Sequence, residues 1–175
     1  IDRKGGWADV LFGASFAGAT SVGYNLTVKT VMEIDQLEVF DSRSSKPEDR
    51  ITTGANALVT VELTNPSHAI LDTLSPSTTT AGTVATTTSI VGRSERADGD
   101  TGVLIVKPYI GASPSDQSLW KTFWVAAPIV NFDLTYDSGE QRVYVCEFHC
   151  YEANATEAAA LSINEGDLMT IGYGS

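Results

Sequence analysis

One alternating run, Val22 to Phe40, constrains this chain more than any other feature. Its even positions Val22, Tyr24, Leu26, Val28, Met32 and Ile34 are apolar, and the odd ones Asn25, Thr27, Lys29, Glu33 and Asp35 are polar. A period of two specifies a strand with one face buried and the other turned to water or a polar partner. After Gln36 the phase slips, because Leu37 and Val39 occupy odd positions. A slip of one residue exchanges the two faces, so a bulge or bend is expected near Asp35 to Gln36. A run of this kind excludes a helical reading and makes the chain a β protein at its centre.

The segment Asp41 to Arg50 has no apolar residue beyond Pro47, and it reads as a long polar loop. The returning strand is expected from about Ile51 to Thr64. Ala55, Ala57, Val59, Val61 and Leu63 form its apolar face, and Asn56, Thr60, Glu62 and Thr64 its polar one. Gly54 marks a bulge or a close approach. Asn65 and Pro66 suit the cap and first position of a short helix carrying Ile70, Leu71 and Leu74, which Pro76 stops.

The rest of the chain adds further strands. Ile1 to Ala19 carries Trp7, Phe12 and Phe16, but its glycines interrupt any period, and it reads as an irregular arm of about residues 1–20 that docks on its own domain or on a neighbour. Ser75 to Ala81 is a Ser/Thr/Pro linker, Thr83 to Val91 a weak edge strand, and Gly92 to Gly102 a charged loop. Val103 to Ile110 is apolar on both faces and should be central, with Pro108 at its exit. Leu119 to Ala127 is broken by Pro128 and resumes at Ile129 to Tyr136. The turn Asp137-Ser-Gly-Glu140 leads into Gln141 to Glu152, with Tyr144, Cys146, Phe148 and Cys150 on one face. Asn154 to Leu161 is alanine-rich and suits a turn or two of helix, and Leu168 to Tyr173 is a last short strand. Residues 21–175 therefore make one domain, dominated by antiparallel β structure of sandwich or barrel-like form, with one short α-helix over about 66–74.

Chemistry-bearing constellations are scarce. His68 and His149 belong to no Ser-His-Asp arrangement, and the glycines match no phosphate-binding loop. In a strand, Cys146 and Cys150 share one face about 13 Å apart, too far for a disulfide with each other. His149 lies on the opposite face, which argues against zinc at Cys146, His149 and Cys150. Glu33 and Asp35, about 7 Å apart along a strand, are the ordinary spacing of a solvated face. No catalytic residue, metal ligand or cofactor site is expected. The net charge of -11, from 22 acids and 11 bases, argues against a protein that grips nucleic acid. No apolar stretch is long enough to span a bilayer as a helix. No secretion signal is read, and the sequons at Asn25 and Asn154 therefore carry no weight.

The segment from Gly23 to Leu74 resembles the front half of bacteriophage tail tube proteins, the major tail proteins. Gly23-Tyr24, the acidic run Glu33 to Gln36, the polar loop Asp41 to Arg50, Thr53-Gly54, the strand Val59 to Thr64 and the helix Pro66 to Leu74 carry the resemblance. It covers about a third of the chain. The resemblance implies a non-enzymatic virion protein, assembled in the bacterial cytoplasm into six-fold rings that stack as a hollow tube for DNA. Its implied partners are further copies of itself, tail tip or baseplate, tape measure and terminator proteins, a sheath where the tail has one, and genomic DNA passing without sequence-specific binding. Asn25, Lys29, Glu33, Asp35 and Glu62 would then face the lumen, where like charge keeps the duplex from adhering. The loop of about residues 41–53, with Asp41, Arg43, Lys46, Glu48, Asp49 and Arg50, would reach a neighbouring subunit or ring, and Trp7, Phe12 and Phe16 would make arm contacts. Two other expectations stand beside this one. A terminator or completion protein can share the fold, and a carbohydrate-binding β-sandwich could use Trp7, Trp120 and Trp124 as platforms, with calcium in the loop Asp98 to Asp100.

Overall fold

The computed structural model describes residues 8–24, 27–40, 47–64, 66–75, 78–81, 84–87, 94, 96, 100–110, 113–114, 117–131 and 143–172. In chain order the strands are β1 (Ala8–Gly13), β2 (Thr20–Tyr24), β3 (Val28–Phe40) and β4 (Pro47–Thr64). Helix α1 (His68–Leu74) precedes β5 (Thr78–Ala81), β6 (Val84–Thr87), β7 (Gly102–Ile110), β8 (Ser113–Pro114), β9 (Lys121–Asn131) and β10 (Val143–Tyr151). Helix α2 (Ala155–Leu161) and β11 (Met169–Ile171) follow. All described pairings are antiparallel, and the main sheet runs β2-β1-β7-β9-β10-β4-β3, with β11 beside β9 and β8 beside β7. Strands β5 and β6 form a separate hairpin.

The sheet is curled. Its two end strands, β2 and β3, are consecutive in the chain and joined only by residues 25–27. Four backbone steps span at most about 14 Å, so the two ends of a seven-strand path must lie close together. The interior shows the same closure. Strands β1 and β10 are three places apart, which on a flat sheet is about 14 Å. Yet the Phe12 and Phe148 rings meet with centroids 5.4 Å apart. The core lies inside this curl. Val10, Phe12, Val22, Val59, Val61, Leu104, Phe123, Cys146, Phe148 and Cys150 are buried there, with Leu71 and Leu74 of α1 packed among them. Deleting either phenylalanine ring would leave a cavity at the meeting of the two walls.

The sequence reading and the structure differ at several points. Val22 to Phe40 is not one strand. Its first part pairs with β1 and its second with β4, so the run crosses from one end of the sheet to the other. Residues 8–13 are no irregular arm but an interior strand between β2 and β7. Of the glycines that hid its period, Gly13 serves close packing, against Gly102 of β7 and the turn at Ala19. A Cβ on Gly102 would lie 2.4 Å from the Gly13 carbonyl oxygen, and one on Gly13 would lie 2.7 Å from Ala19 Cα. Pro128 does not break β9, which runs through it. Pairing with β7 ends at Gly102 opposite Ala126, so beyond that point β9 has no β7 rung for the missing N–H to interrupt. Strand β7 is central as expected, with Val103, Leu104, Ile105 and Val106 all buried, but Pro108 does not mark its exit, since β7 runs on to Ile110 with Pro108 past the β9 ladder and opposite Ala8 of β1. Residues 78–81, read as linker, are a strand.

Among the described residues two short α-helices are present, α1 within the expected span of about 66–74 and α2 where Asn154 to Leu161 suits a turn or two of helix. The cap of α1 is Ser67, whose Oγ accepts the Ile70 N–H at 3.3 Å, so Pro66 precedes the cap. Asn65 lies outside the described residues. Helix α2 begins in a reciprocal cap, with Asn154 accepting from the Thr156 and Glu157 N–H groups and Glu157 accepting from the Asn154 N–H. It covers the outer face of the sheet, where Val125, Ala153 and Ala158 are buried beside Trp124 and Tyr151.

Cys146 and Cys150 are free and buried on the inner face, as the alternation of β10 implies. Burial pushes both thiols up to about 12, against a weaker lowering at Cys146 from a backbone hydrogen bond at Ile129. Their protonated form is favoured by folding. That stability is complete below the unfolded-state pKa and is lost as pH rises toward 12. Two outcomes are expected. Neither thiol reacts appreciably with a disulfide reagent at pH 8 until the protein is denatured. Urea midpoints fall progressively above about pH 9, less so in Cys146→Ala/Cys150→Ala. Rapid native labelling would contradict this burial.

Candidate functional site

The site is built where the sheet runs out of partners. Strand β10 pairs with β4 from Thr64 to Asn56, and the ladder ends at Tyr151 opposite Asn56. Below that point, from Ala55 to Pro47, the only described partner of β4 is β3. No described strand pairs with the outer edge of β3. A two-stranded ribbon therefore leaves the body of the domain, with Ile34 opposite Ala55 and Phe40 opposite Pro47 at its extremes. The returning strand begins at Pro47, not Ile51, so Asp49 and Arg50 belong to the ribbon and not to a loop. Arg50 bonds Glu38 directly across the ladder at 2.9 Å. Glu48 is in the strand, whereas Asp41, Arg43 and Lys46 lie outside the described residues.

The bulge expected from the phase slip is present between Asp35 and Gln36. Asp35 opposes Gly54 and Gln36 opposes Thr52, so the extra residue, Thr53, is on β4. The expected burial is not. Met32 is 49% exposed and Ile34 56%, although both continue the alternation that buries Val22. Across the bulge Leu37 is 58% exposed and Ile51, its direct partner, 50%. By strand alternation Met32 and Ile34 lie on one face of the ribbon, and Val31, Leu37 and Ile51 on the other. A two-stranded ribbon is at best marginally stable alone in water. Here both of its faces also carry large exposed apolar side chains.

The charged candidates are brought together. Register places Lys29, Glu33 and Asp35 of β3 on the same face as Glu62 of β4. Glu62 opposes Val145, and Thr60 opposes Glu147, so Glu147 joins that face from β10. Lys29, Glu33, Asp35 and Glu62 are exposed, and Glu147 is half-buried. The Glu62 N–H donates to the Thr27 carbonyl at 3.2 Å, which extends the β3–β4 pairing past Val28. Val31, Glu33, Asn56, Leu58, His149 and Tyr151 line a hollow of about 400 Å³ on this face at the base of the ribbon. Asn25 lies outside the described residues.

The aromatic candidates divide. Phe12 is a core residue, Phe16 stacks on Trp120 at 6.4 Å, and Trp7 lies outside the described residues. Lys107 Nζ sits 4.0 Å from the centre of the Trp120 ring, and the Trp124 indole N–H donates to Thr170 Oγ1 at 2.9 Å. Among the described residues, no group of three or more His, Cys, Asp and Glu side chains is arranged to hold a metal. No helix among them is long and apolar enough to cross a membrane.

Sequence reading missed a second charged group at the base of the ribbon. Arg96 donates from Nε to Glu157 Oε1 at 3.1 Å and from its terminal nitrogen to the Glu152 carbonyl at 3.0 Å, while pairing with Glu157 Oε2. Its guanidinium lies 5.6 Å from the centre of the Tyr151 ring. Glu152 in turn accepts the Ala55 N–H at 2.8 Å. These contacts join residues far apart in sequence, and no local pattern announces them. The Asn154-x-x-Glu157 cap is the one signal that could have marked the place.

In comparisons with known proteins, no protein-family model matches the chain and no curated sequence matches it.

Burial raises the Glu157 carboxyl, but the Arg96 hydrogen bond, the Asn154 N–H and the Arg96 charge outweigh it and hold it below the usual range. A depressed carboxylate stabilises the fold above its unfolded-state pKa, and the effect is lost as pH falls through the folded value. Arg96→Ala is therefore expected to lower Tm at pH 7 by about 2–4 °C, the shift of a solvent-screened pair worth ~1 kcal/mol. Thermal scans from pH 7 to 3 should show the gap narrowing below about pH 4.5. A gap independent of pH would assign the loss to packing on Tyr151.

Proposed function

We propose that this protein is a subunit of a bacteriophage tail tube, repeating as stacked six-fold rings and catalysing nothing. The observation that carries the reading is the β3–β4 ribbon, whose sequence alternates as though one face were buried and whose single-chain structure leaves Met32, Ile34, Leu37 and Ile51 about half exposed. Such a ribbon is completed by another copy. The outer edge of β3 offers main-chain groups to a neighbouring strand, and the face carrying Met32 and Ile34, with the end of the ribbon beyond the bulge at Leu37 and Ile51, is covered in the same step. In a closed ring no edge remains exposed, so what is a hazard in a monomer becomes the means of assembly.

The distribution of charge supports the same reading. Glu33, Asp35, Glu62 and Glu147 share a face with one Lys29, in a chain of net charge -11. Facing a lumen, that surface would let DNA slide past without adhering. Tail tip, tape measure and terminator proteins would meet the ends or bore of the tube, in a virion assembled inside the host cell. The tube reading is favoured over a carbohydrate-binding module because the described tryptophans are already engaged, Trp120 with Phe16 and Lys107 and Trp124 with Thr170.

Two expected outcomes follow. Wild-type protein at high concentration forms hollow tubes or six-fold rings in negative-stain electron microscopy, whereas Leu37→Asp/Ile51→Lys, which sets opposite charges across the ladder at two half-exposed sites, remains folded with Tm nearly unchanged and forms none. Tubes of ordinary length from that variant would refute the ribbon's role. Glu33→Lys/Asp35→Lys is expected to assemble but to slow DNA release from phage carrying it, and release at the wild-type rate would remove this face from the lumen.

A further inference from the structure

We infer that Glu152 is a latch that fixes how the β3–β4 ribbon leaves the domain, and that Arg96 holds the latch in place. Along β4, alternate N–H groups point to opposite neighbours. The Glu62 N–H donates toward β3, to Thr27, so the odd-numbered residues donate toward β10. Ala55 is the next odd residue after Ala57, and β10 has ended one step earlier, at Tyr151. The chain turns away there, with the Ala153 N–H donating to the Asp167 carbonyl at 3.0 Å as it heads for α2. The main-chain rung that would have served Ala55 is missing, and the Glu152 carboxylate supplies it at 2.8 Å. The side chain thus extends the ladder by one bond after the backbone has left.

The position of that bond gives it leverage. It falls beside the bulge at Thr53 and next to Gly54, where the ribbon bends. A Cβ on Gly54 would lie 4.0 Å from Glu152 Oε2 and 4.0 Å from Asp35 Oδ2, so two carboxylates flank the bend, from β3 on one side and the end of β10 on the other. Glu152 is itself held, since Arg96 bonds its carbonyl oxygen, packs over Tyr151 and is tied to α2 through Glu157. Releasing Glu152 leaves the Ala55 N–H to water and removes the last described hydrogen bond between the ribbon and the body below Asn56. The ribbon then swings about the bulge. The consequence for assembly rests on the tube reading above, because a ribbon aimed wrongly cannot meet its neighbour. The latch itself does not rest on it.

The test is hydrogen exchange on the full chain, comparing wild type, Glu152→Ala, Glu152→Gln and Arg96→Ala, followed by electron microscopy of each. Glu152→Ala is expected to speed exchange at Ala55 and through 47–56 by about tenfold or more, the effect of losing a hydrogen bond to a charged acceptor. Glu152→Gln, which keeps an acceptor oxygen, should stay near wild type, and Arg96→Ala should fall between them. Protection in β7 and β9 should be unchanged in all, which separates a latch from general unfolding. Equal exchange through 47–56 in wild type and Glu152→Ala overturns the latch, as does faster exchange spread evenly over the whole sheet. If exchange changes as expected while wild type forms no tubes, the latch stands and the tube reading fails. If wild type forms tubes and Glu152→Ala exchanges normally, the latch alone fails.

Discussion

A three-residue connection governs this structure. Strands β2 and β3 stand at the two ends of the sheet's hydrogen-bonded order, yet residues 25–27 are all that separates them. A seven-strand path whose ends are tied this closely has to curl, and curling turns one face of every strand inward. The Phe12–Phe148 contact, the buried thiols of β10 and the packing of Leu71 and Leu74 against the inner wall follow from that closure. Helix α2 then covers the outer face only at one end, around Val125 and Tyr151.

The same closure leaves something over. Strands β3 and β4 are longer than the body they belong to, and the excess leaves as a ribbon whose large apolar side chains the described chain leaves about half exposed. The hydrophobic effect that drives the core together also makes this excess costly in water. On that account the ribbon is a surface awaiting a second copy. A bulge that redirects it and a carboxylate that takes over where the backbone ladder stops both lie at its base.

Much of this was legible in the sequence, and the rest was hidden for physical reasons. The alternation of β4 and β10 gave their inner faces residue by residue, and the phase slip at Gln36 located the bulge. The acidic face was legible because Lys29, Glu33, Asp35 and Glu62 share a parity that pairing preserves. Three things were not. Periodicity cannot say which strand is the partner, so Val22 to Phe40 read as one strand although it serves both ends of the sheet. It reports what a residue is suited to bury and not whether the single chain buries it, so Met32 and Ile34 read as core. The strand β1 was concealed by the glycines around it, of which Gly13 is required for contact with β7 and the 14–19 turn. Glu152 and Arg96 act across separations of 97 and 56 residues, where no local pattern reaches.

The most direct test of the central claim, that the ribbon is completed by another copy, is hydrogen exchange across residues 31–56 as protein concentration is raised, with sedimentation of the same samples. The account predicts that these amides exchange readily in the free chain and become protected in step with the appearance of large species, while β7 and β9 are protected throughout. Large species in which the ribbon exchanges as fast as in the free chain would contradict it.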